Sequence, residues 1–184
     1  MTVDELAAYG LEEMSAGAVE DCLADQSTGV LGLPTDGEPY LLPLSYSYDR
    51  PGGDGGGSGE STAAGNDADT DGTRDYGRLY FTYVLGSSSR KAALTERARR
   101  ARFLVYDVDT QFRWRSVTVT GELVPVPEER LDDIRHVHQN AWRPSLLDSA
   151  ATAGGVEVYE LTVKERSGIE QDGLAPEFRE NIHP

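Results

Sequence analysis

Between Arg78 and Val126 the chain carries three successive strand-like runs, and a single helical stretch interrupts them. In the first run Leu79, Phe81, Tyr83 and Leu85 fall on every second residue. In the last, Phe112 to Val126, the apolar Val117, Val119 and Leu123 alternate with Ser116, Thr118, Thr120 and Glu122. Side chains on a strand point alternately to its two faces, so a period of two predicts strands with one buried face and one wet face. The middle run is Ala101 to Asp109. Upstream, Gly29 to Leu33 is a brief apolar run, Asp36-Gly37 is a hairpin turn signal, and Tyr40 to Tyr48 is a second strand. Downstream, Val156 to Val163 supplies a last alternating strand. Several hairpin-linked strands with few helices predict a mainly β fold with peripheral helices (α+β), closed into an antiparallel barrel, because closure removes unpaired edges.

The expected helices are few. Thr2 and Glu5 stand at capping-box spacing, and Ser15 is a second cap leading into Ala16 to Gln26. A helix is expected from about Ser89 to Arg100, and Pro127, followed by Glu128 and Glu129, opens another to about Asn140. Pro43 falls inside the second strand. It has no amide proton, so its nitrogen must face an edge, a bulge or a ligand groove.

From Asp49 to Gly77 the pattern breaks, with nine glycines and seven acidic residues among 29 and almost nothing apolar. Such a segment buries too little to offset its ordering entropy, and reads as a disordered insert between two strands. Its glycines fit no GxGxxG register and no helix follows them, so they are no phosphate-binding fingerprint.

A chain of 184 residues is expected to form one domain, residues 1–184, around a single core. No stretch approaches the roughly 20 apolar residues of a membrane helix. The acidic start does not resemble a secretory leader, so a cytoplasmic protein is expected. One cysteine, Cys22, excludes an internal disulfide and reads as a small residue packed on a helix. The three histidines give no zinc spacing, and His136 and His138, two apart on an expected helix, point to different faces. Acidic residues outnumber basic ones 32 to 17, for a net charge of −15, and only Lys91 and Lys164 are lysine. This balance resembles that of proteins from high-salt cytoplasms, where about 1 M salt cuts the screening length to roughly 3 Å. It also argues against a nucleic-acid partner, which requires basic charge along the contact surface.

Against that background one window stands out. Between Arg90 and Arg102 six basic residues meet a single acid, Glu96, so the window carries +5 and the rest of the chain −20. Gly86-Ser87-Ser88-Ser89 precedes Arg90 and Lys91 where a strand passes into a helix. A helix start exposes unpaired amides and a positive dipole end. Serine hydroxyls add donors, Arg90 can grip phosphate oxygens in a bidentate fashion, and Lys91 adds a compact charge. Residue chemistry leaves two readings open: a site for a phosphate monoester, or serines that merely cap a helix whose arginines neutralise acidic neighbours. Arg97, Arg99, Arg100 and Arg102, toward the helix end, read as partners of the dipole.

The order of these landmarks resembles a known family. Gly29-Val30-Leu31-Gly32-Leu33, Pro39 to Tyr48, Arg78 to Tyr83, Ser89-Arg90-Lys91 and Ser116-Val117-Thr118-Val119-Thr120-Gly121 look like the successive motifs of the pyridoxamine 5'-phosphate oxidase-like, FMN-binding split-barrel proteins. The likeness runs from about Ala16 to Val126, excluding the insert. It implies an antiparallel split β-barrel with phosphate contacts from Ser89, Arg90 and Lys91. It also implies ring or ribityl contacts from Pro43, Leu44, Ser45, Thr82, Tyr83 and Ser116. Relatives often carry histidine at the position of Thr82, and the B6 oxidases proper carry glutamine at that of Ser116. The resemblance further implies a homodimer in which Arg135 to Pro144 closes the partner's site.

The implied function is an FMN-dependent oxidoreductase acting on a small molecule, with a non-catalytic flavin-binding or flavin-storage protein as the alternative. Related split barrels use a deazaflavin or haem in place of FMN. With FMN the cofactor carries the electron transfer and no side-chain nucleophile is needed. The chain accordingly has no GxSxG, HExxH or Walker loop. Trp114, Trp142, Tyr46 and Tyr83 are the aromatic residues that could stack on a flavin or pack in the core.

Overall fold

Leu79, Phe81 and Tyr83 are fully buried on one face of their strand, whereas on the other face Arg78, Thr82 and Val84 stay partly exposed and Tyr80 is covered. The computed structural model describes residues 7, 10–52, 75–85, 89–134, 137 and 155–173. These form β1 (Leu11–Glu13), α1 (Ala16–Asp25), β2 (Thr28–Leu33), β3 (Tyr40–Asp49), β4 (Arg78–Val84), α2 (Arg90–Ala98), β5 (Arg100–Thr110), β6 (Arg113–Pro125) and β7 (Val156–Asp172). The order β7-β4-β3-β2-β5-β6 closes on itself because β6 also pairs with β7, giving a six-stranded antiparallel barrel, and β1 adds to the far end of β7.

The interior holds Leu31, Tyr46, Phe81, Phe103, Val105, Val117, Val119, Tyr159 and Leu161, all essentially inaccessible. Phe103 lies edge-on to both Tyr46 and Phe81, with ring centroids 5.1 and 4.9 Å away. Helix α1 packs its Val19, Cys22 and Leu23 against one end of the barrel. The Ser15 hydroxyl accepts from the Ala18 amide as its N-cap, and the Tyr46 hydroxyl donates to the Leu23 carbonyl at 2.8 Å. Helix α2 packs against β2 and β6 at the opposite end.

Two expectations are corrected. The last strand does not stop at Val163 but runs to Asp172, pairing with β6 throughout and with β1 at its end. Its second half, Lys164 to Asp172, is mostly charged and carries no alternation, so only the ladder reveals it. A register shift at Thr120/Gly121 lets the long pair of strands bend. There the backbones approach so closely that any Cβ on Gly121 would run into the Thr162 carbonyl. Nor does a continuous α-helix open at Pro127. Pro127 is the extended N-cap of a 3-10 turn at Glu128–Arg130, followed by turns to Ile134. Asp132 and Asp133 disfavour helix continuation. Val126, Leu131, Ile134 and Val137 instead cover Tyr80 on the outer face of β4. Arg130 bonds the buried Glu160 at 3.0 Å.

Residues 53–74 of the glycine-rich insert, the expected helix at Thr2 to Glu5, and His136 and His138 lie outside the described residues. The insert leaves from and returns to a closed ladder, since Asp49 stands opposite Arg78 and the Tyr48 hydroxyl donates to the Tyr76 carbonyl at 3.1 Å. Among the described residues no helix is long and apolar enough to cross a membrane.

Candidate functional site

The barrel is closed but one seam is only half sewn. β3 and β4 pair over Tyr46–Asp49 and Arg78–Phe81 and then part, so Tyr40 to Ser45 and Thr82 to Val84 form two lips. β3 keeps its ladder to β2 along the parted stretch, where Thr28 to Leu33 pair with Ser45 back to Tyr40. The Tyr46 amide donates to the Ser27 carbonyl at 2.9 Å, toward the β2 side. Antiparallel backbones alternate sides, so the Leu41 and Ser45 amides and the Pro43 carbonyl face the opening. Pro43 therefore stands where a missing N–H breaks no ladder bond, at an edge as its chemistry requires.

Helix α2 follows β4 and brings its first turn over this opening. The Arg90 guanidinium lies 5.2 Å from the Tyr40 ring centre on one lip, and the Lys91 ammonium 5.1 Å from the Tyr83 ring centre on the other. Ser89 is the N-cap by position, but its side chain makes no capping bond, so its hydroxyl is not committed to the helix. Burial pushes the Lys91 amine below its usual value. Arg90 and Lys91 make no ion pair among the described residues. Arg50, Arg78, Arg97, Arg113, Arg115, Arg130 and Arg166 all do.

Thr95 fixes this turn. Its hydroxyl donates to the Lys91 carbonyl at 2.8 Å, which leaves the Tyr83 hydroxyl, 3.1 Å away, to donate to Thr95. The spacing from Lys91 to Thr95, one helical turn, is the signal by which this support could have been found. Tyr83 itself points inward, wholly buried and 4.4 Å from the Tyr159 ring, so it supports the site from beneath. Burial raises its hydroxyl pKa, with the Thr95 hydrogen bond acting the other way. Leu44 also packs toward the core, whereas Pro43 is exposed and Ser45 and Thr82 are half-buried.

The expected residues thus gather around the opening, with one exception. Ser116 lies on the outer face of β6, opposite Tyr106 and Ile169. β2 and β5 separate β6 from β3, which puts Ser116 three strand spacings, about 14 Å, from Ser45. Tyr46 is a core residue, and Trp114 donates through its indole nitrogen to Gln171 at 3.0 Å. Trp142 and most of Arg135 to Pro144 lie outside the described residues. The basic run also divides differently from the sequence reading, because α2 ends at Ala98. Arg97 pairs with Asp36, Arg99 is a left-handed C-cap with φ 50°, and Arg100 and Arg102 belong to β5.

A six-stranded antiparallel barrel, half open along one seam and with a basic helix start over the gap, defines a split-barrel protein. The family model for pyridoxamine 5'-phosphate oxidase matches residues 15–170, and the chain belongs to that family. No curated protein matches it. Among solved structures, an FAD-binding protein from Mesorhizobium loti is 20% identical, with a TM-score of 0.58 over 88% of this chain and 99% of its own. The FAD-binding protein from Mycobacterium smegmatis is 13% identical, with a TM-score of 0.55 over 88% and 99%. The FAD- and heme-binding protein from Mycobacterium smegmatis is 16% identical, with a TM-score of 0.56 over 94% and 78%. These likenesses speak for the fold.

Proposed function

We propose that the protein binds FMN and uses it to pass electrons or a hydride to or from a small molecule. The observation that carries this reading is the pair Arg90 and Lys91, two cations without carboxylate partners among the described residues, held over both lips of the parted seam. In a chain of net charge −15, cations left unpaired at a helix start suit a phosphate dianion. The residues fit a flavin. Ser89, Arg90 and Lys91 would hold the phosphate, and the Leu41 and Ser45 amides and the Pro43 carbonyl offer hydrogen-bonding groups to a heteroaromatic edge. Ser45 and Thr82 would flank the ring or ribityl chain, with Leu44 and Tyr83 packed behind them.

A bound flavin supplies the redox chemistry. The side chains bind, orient and exclude water. Lys91 keeps its proton beside the phosphate, and Thr95 and Tyr83 keep the helix turn in register with the lips.

A homodimer completes this reading. Leu104, Tyr106 and Val108 form an exposed apolar row along β5, 37%, 52% and 62% accessible, near Ile169 on β7. Ser116 lies beside this row, so a second copy docked on it could bring its Ser116 toward the seam. The relatives named for FAD make the dinucleotide the alternative cofactor, and deazaflavin or haem remain further candidates. Non-catalytic flavin binding or storage is the alternative role, in which the same residues hold the flavin and no substrate is turned over.

The test is the visible spectrum and extracted-cofactor mass of protein purified in molar salt. An FMN spectrum is expected, lost in Arg90→Ala/Lys91→Ala while circular dichroism is retained. Colourless protein that takes up no FMN overturns the proposal. Rapid bleaching by a reduced nicotinamide followed by reoxidation favours the enzyme, and indifference to every donor favours the binder.

A further inference from the structure

On the outer face of the barrel a groove of about 400 Å³ is lined by Gly32, Leu33, Pro34, Pro39, Leu41, Arg100, Ala101, Arg102 and Thr120. Almost all of its open lining is apolar, and Leu41 is 64% accessible. Isolated exposed leucines are ordinary, but one forming the wall of a concave apolar surface is not.

Two exposed arginines belong to this lining, mainly through their aliphatic stems, and their charge gives the groove's rim a chemical preference. Neither Arg100 nor Arg102 makes an ion pair among the described residues, although Glu122 stands opposite Arg100 in the β5–β6 ladder. Their neighbour Arg97 does, bonding Asp36 in the β2–β3 turn at 3.2 Å. That turn is braced from within, because the Thr35 hydroxyl donates to the Glu38 carbonyl at 2.6 Å and accepts from the Gly37 amide at 3.1 Å. The Pro34 and Pro39 wall is therefore built before any ligand arrives.

Gly32 forms the floor beside Leu41 and Arg102. A Cβ there would meet Leu41 Cδ2 at 3.5 Å and the Arg102 carbonyl oxygen at 3.6 Å, ordinary contacts. The fold does not demand glycine at this position, and its bareness leaves room beside Leu41.

We infer that this groove is a second ligand site for a small organic anion with an apolar body, a carboxylate, sulfonate or phosphate ester. The apolar part lies on Gly32, Leu41 and the two prolines while Arg100 and Arg102 hold the anionic group. A guanidinium pair suits an oxyanion through bidentate, charge-assisted bonds. Leu41 joins the two sites, since its side chain walls the groove while its amide faces the seam. The inference does not depend on the flavin reading, and if both hold, the groove takes a second molecule close to the cofactor.

The experiment titrates the full-length protein with 1-anilinonaphthalene-8-sulfonate and, separately, with the uncharged N-phenyl-1-naphthylamine, following probe fluorescence. The sulfonate is expected to bind about tenfold or more tightly than the neutral probe. Arg100→Gln/Arg102→Gln should erase that preference, Gly32→Val should weaken both probes, and Glu122→Gln should strengthen the sulfonate alone. Arg99→Gln/Lys164→Gln, which removes the same charge away from the groove, should leave the preference intact. Equal binding of the two probes, an equal loss in the Arg99/Lys164 variant, or indifference to Gly32→Val overturns the inference. Loss of the sulfonate in Arg90→Ala/Lys91→Ala also overturns it, because the probe would then be reporting the seam. Retention there together with loss of flavin supports two separate sites, and retention in a protein that binds no flavin sinks only the cofactor reading.

Discussion

The Tyr83 hydroxyl stands 3.1 Å from the Thr95 hydroxyl, and this contact ties the start of α2 to the floor of the barrel. Both residues are buried, so neither hydroxyl can turn to water if its partner is lost.

Thr95→Val should therefore destabilise the protein by about 1–3 kcal/mol, the usual consequence of leaving a buried donor unpaired. Adding Tyr83→Phe should recover part of that loss, since two apolar groups then face each other. Urea unfolding of the two single variants and the double variant measures both. Strictly additive losses would show that the two hydroxyls do not depend on each other.

Lys91 gives the site a pH dependence whose sign follows from its burial. An amine with a lowered pKa gives up its proton earlier than an ordinary lysine as pH rises, so phosphate affinity should begin to fall below 10.5. Lys91→Arg, whose guanidinium stays charged, should move that fall upward. In the unliganded protein the sign reverses. The unfolded chain binds this proton more tightly, so Lys91 opposes folding fully below its folded pKa, and stability recovers as pH rises toward 10.5. Flavin fluorescence titrations across alkaline pH check the first statement and urea midpoints the second.

Gly121 should tolerate no side chain. Gly121→Val drives a Cβ into the Thr162 carbonyl where β6 meets β7. It should destabilise the barrel by about 2 kcal/mol or more. Thermal unfolding reads this directly, and an unchanged midpoint would mean that the strands separate there without loss.

Salt should stabilise the protein. A net charge of −15 repels itself in dilute buffer, and screening at about 1 M ionic strength should raise the melting temperature. A midpoint that falls in molar potassium chloride would show that ion pairs such as Arg113–Asp172 outweigh the repulsion.

Period-two alternation made β4, β6 and the first half of β7 legible in the sequence, the Asp36-Gly37 turn made the β2–β3 hairpin legible, and a charge imbalance made Arg90 and Lys91 legible. Each rests on a local pattern that burial, a tight turn or an anion would impose. The second half of β7 was hidden because Lys164 to Asp172 pair through their backbones while their side chains mostly meet water. Arg100 and Arg102 read as the tail of a helix. Arg99 ends α2 in a left-handed turn that no local residue preference announced, and this moved Arg100 onto the strand that the sequence started at Ala101. Tyr83 fell on the buried face of β4 in the sequence, but its support of the Lys91 turn through Thr95 did not show there, since that depends on where α2 docks.

The clamped stem between Asp49 and Arg78 has a practical reach. When the two ends of an excursion are already side by side, its length contributes little to the free energy of the fold, about 0.6 kcal/mol for each doubling. The stretch between Gly52 and Asp75 is then a natural port for grafting. An epitope, a fluorophore-binding peptide or a shortened linker exchanged there should leave barrel, seam and groove as they are.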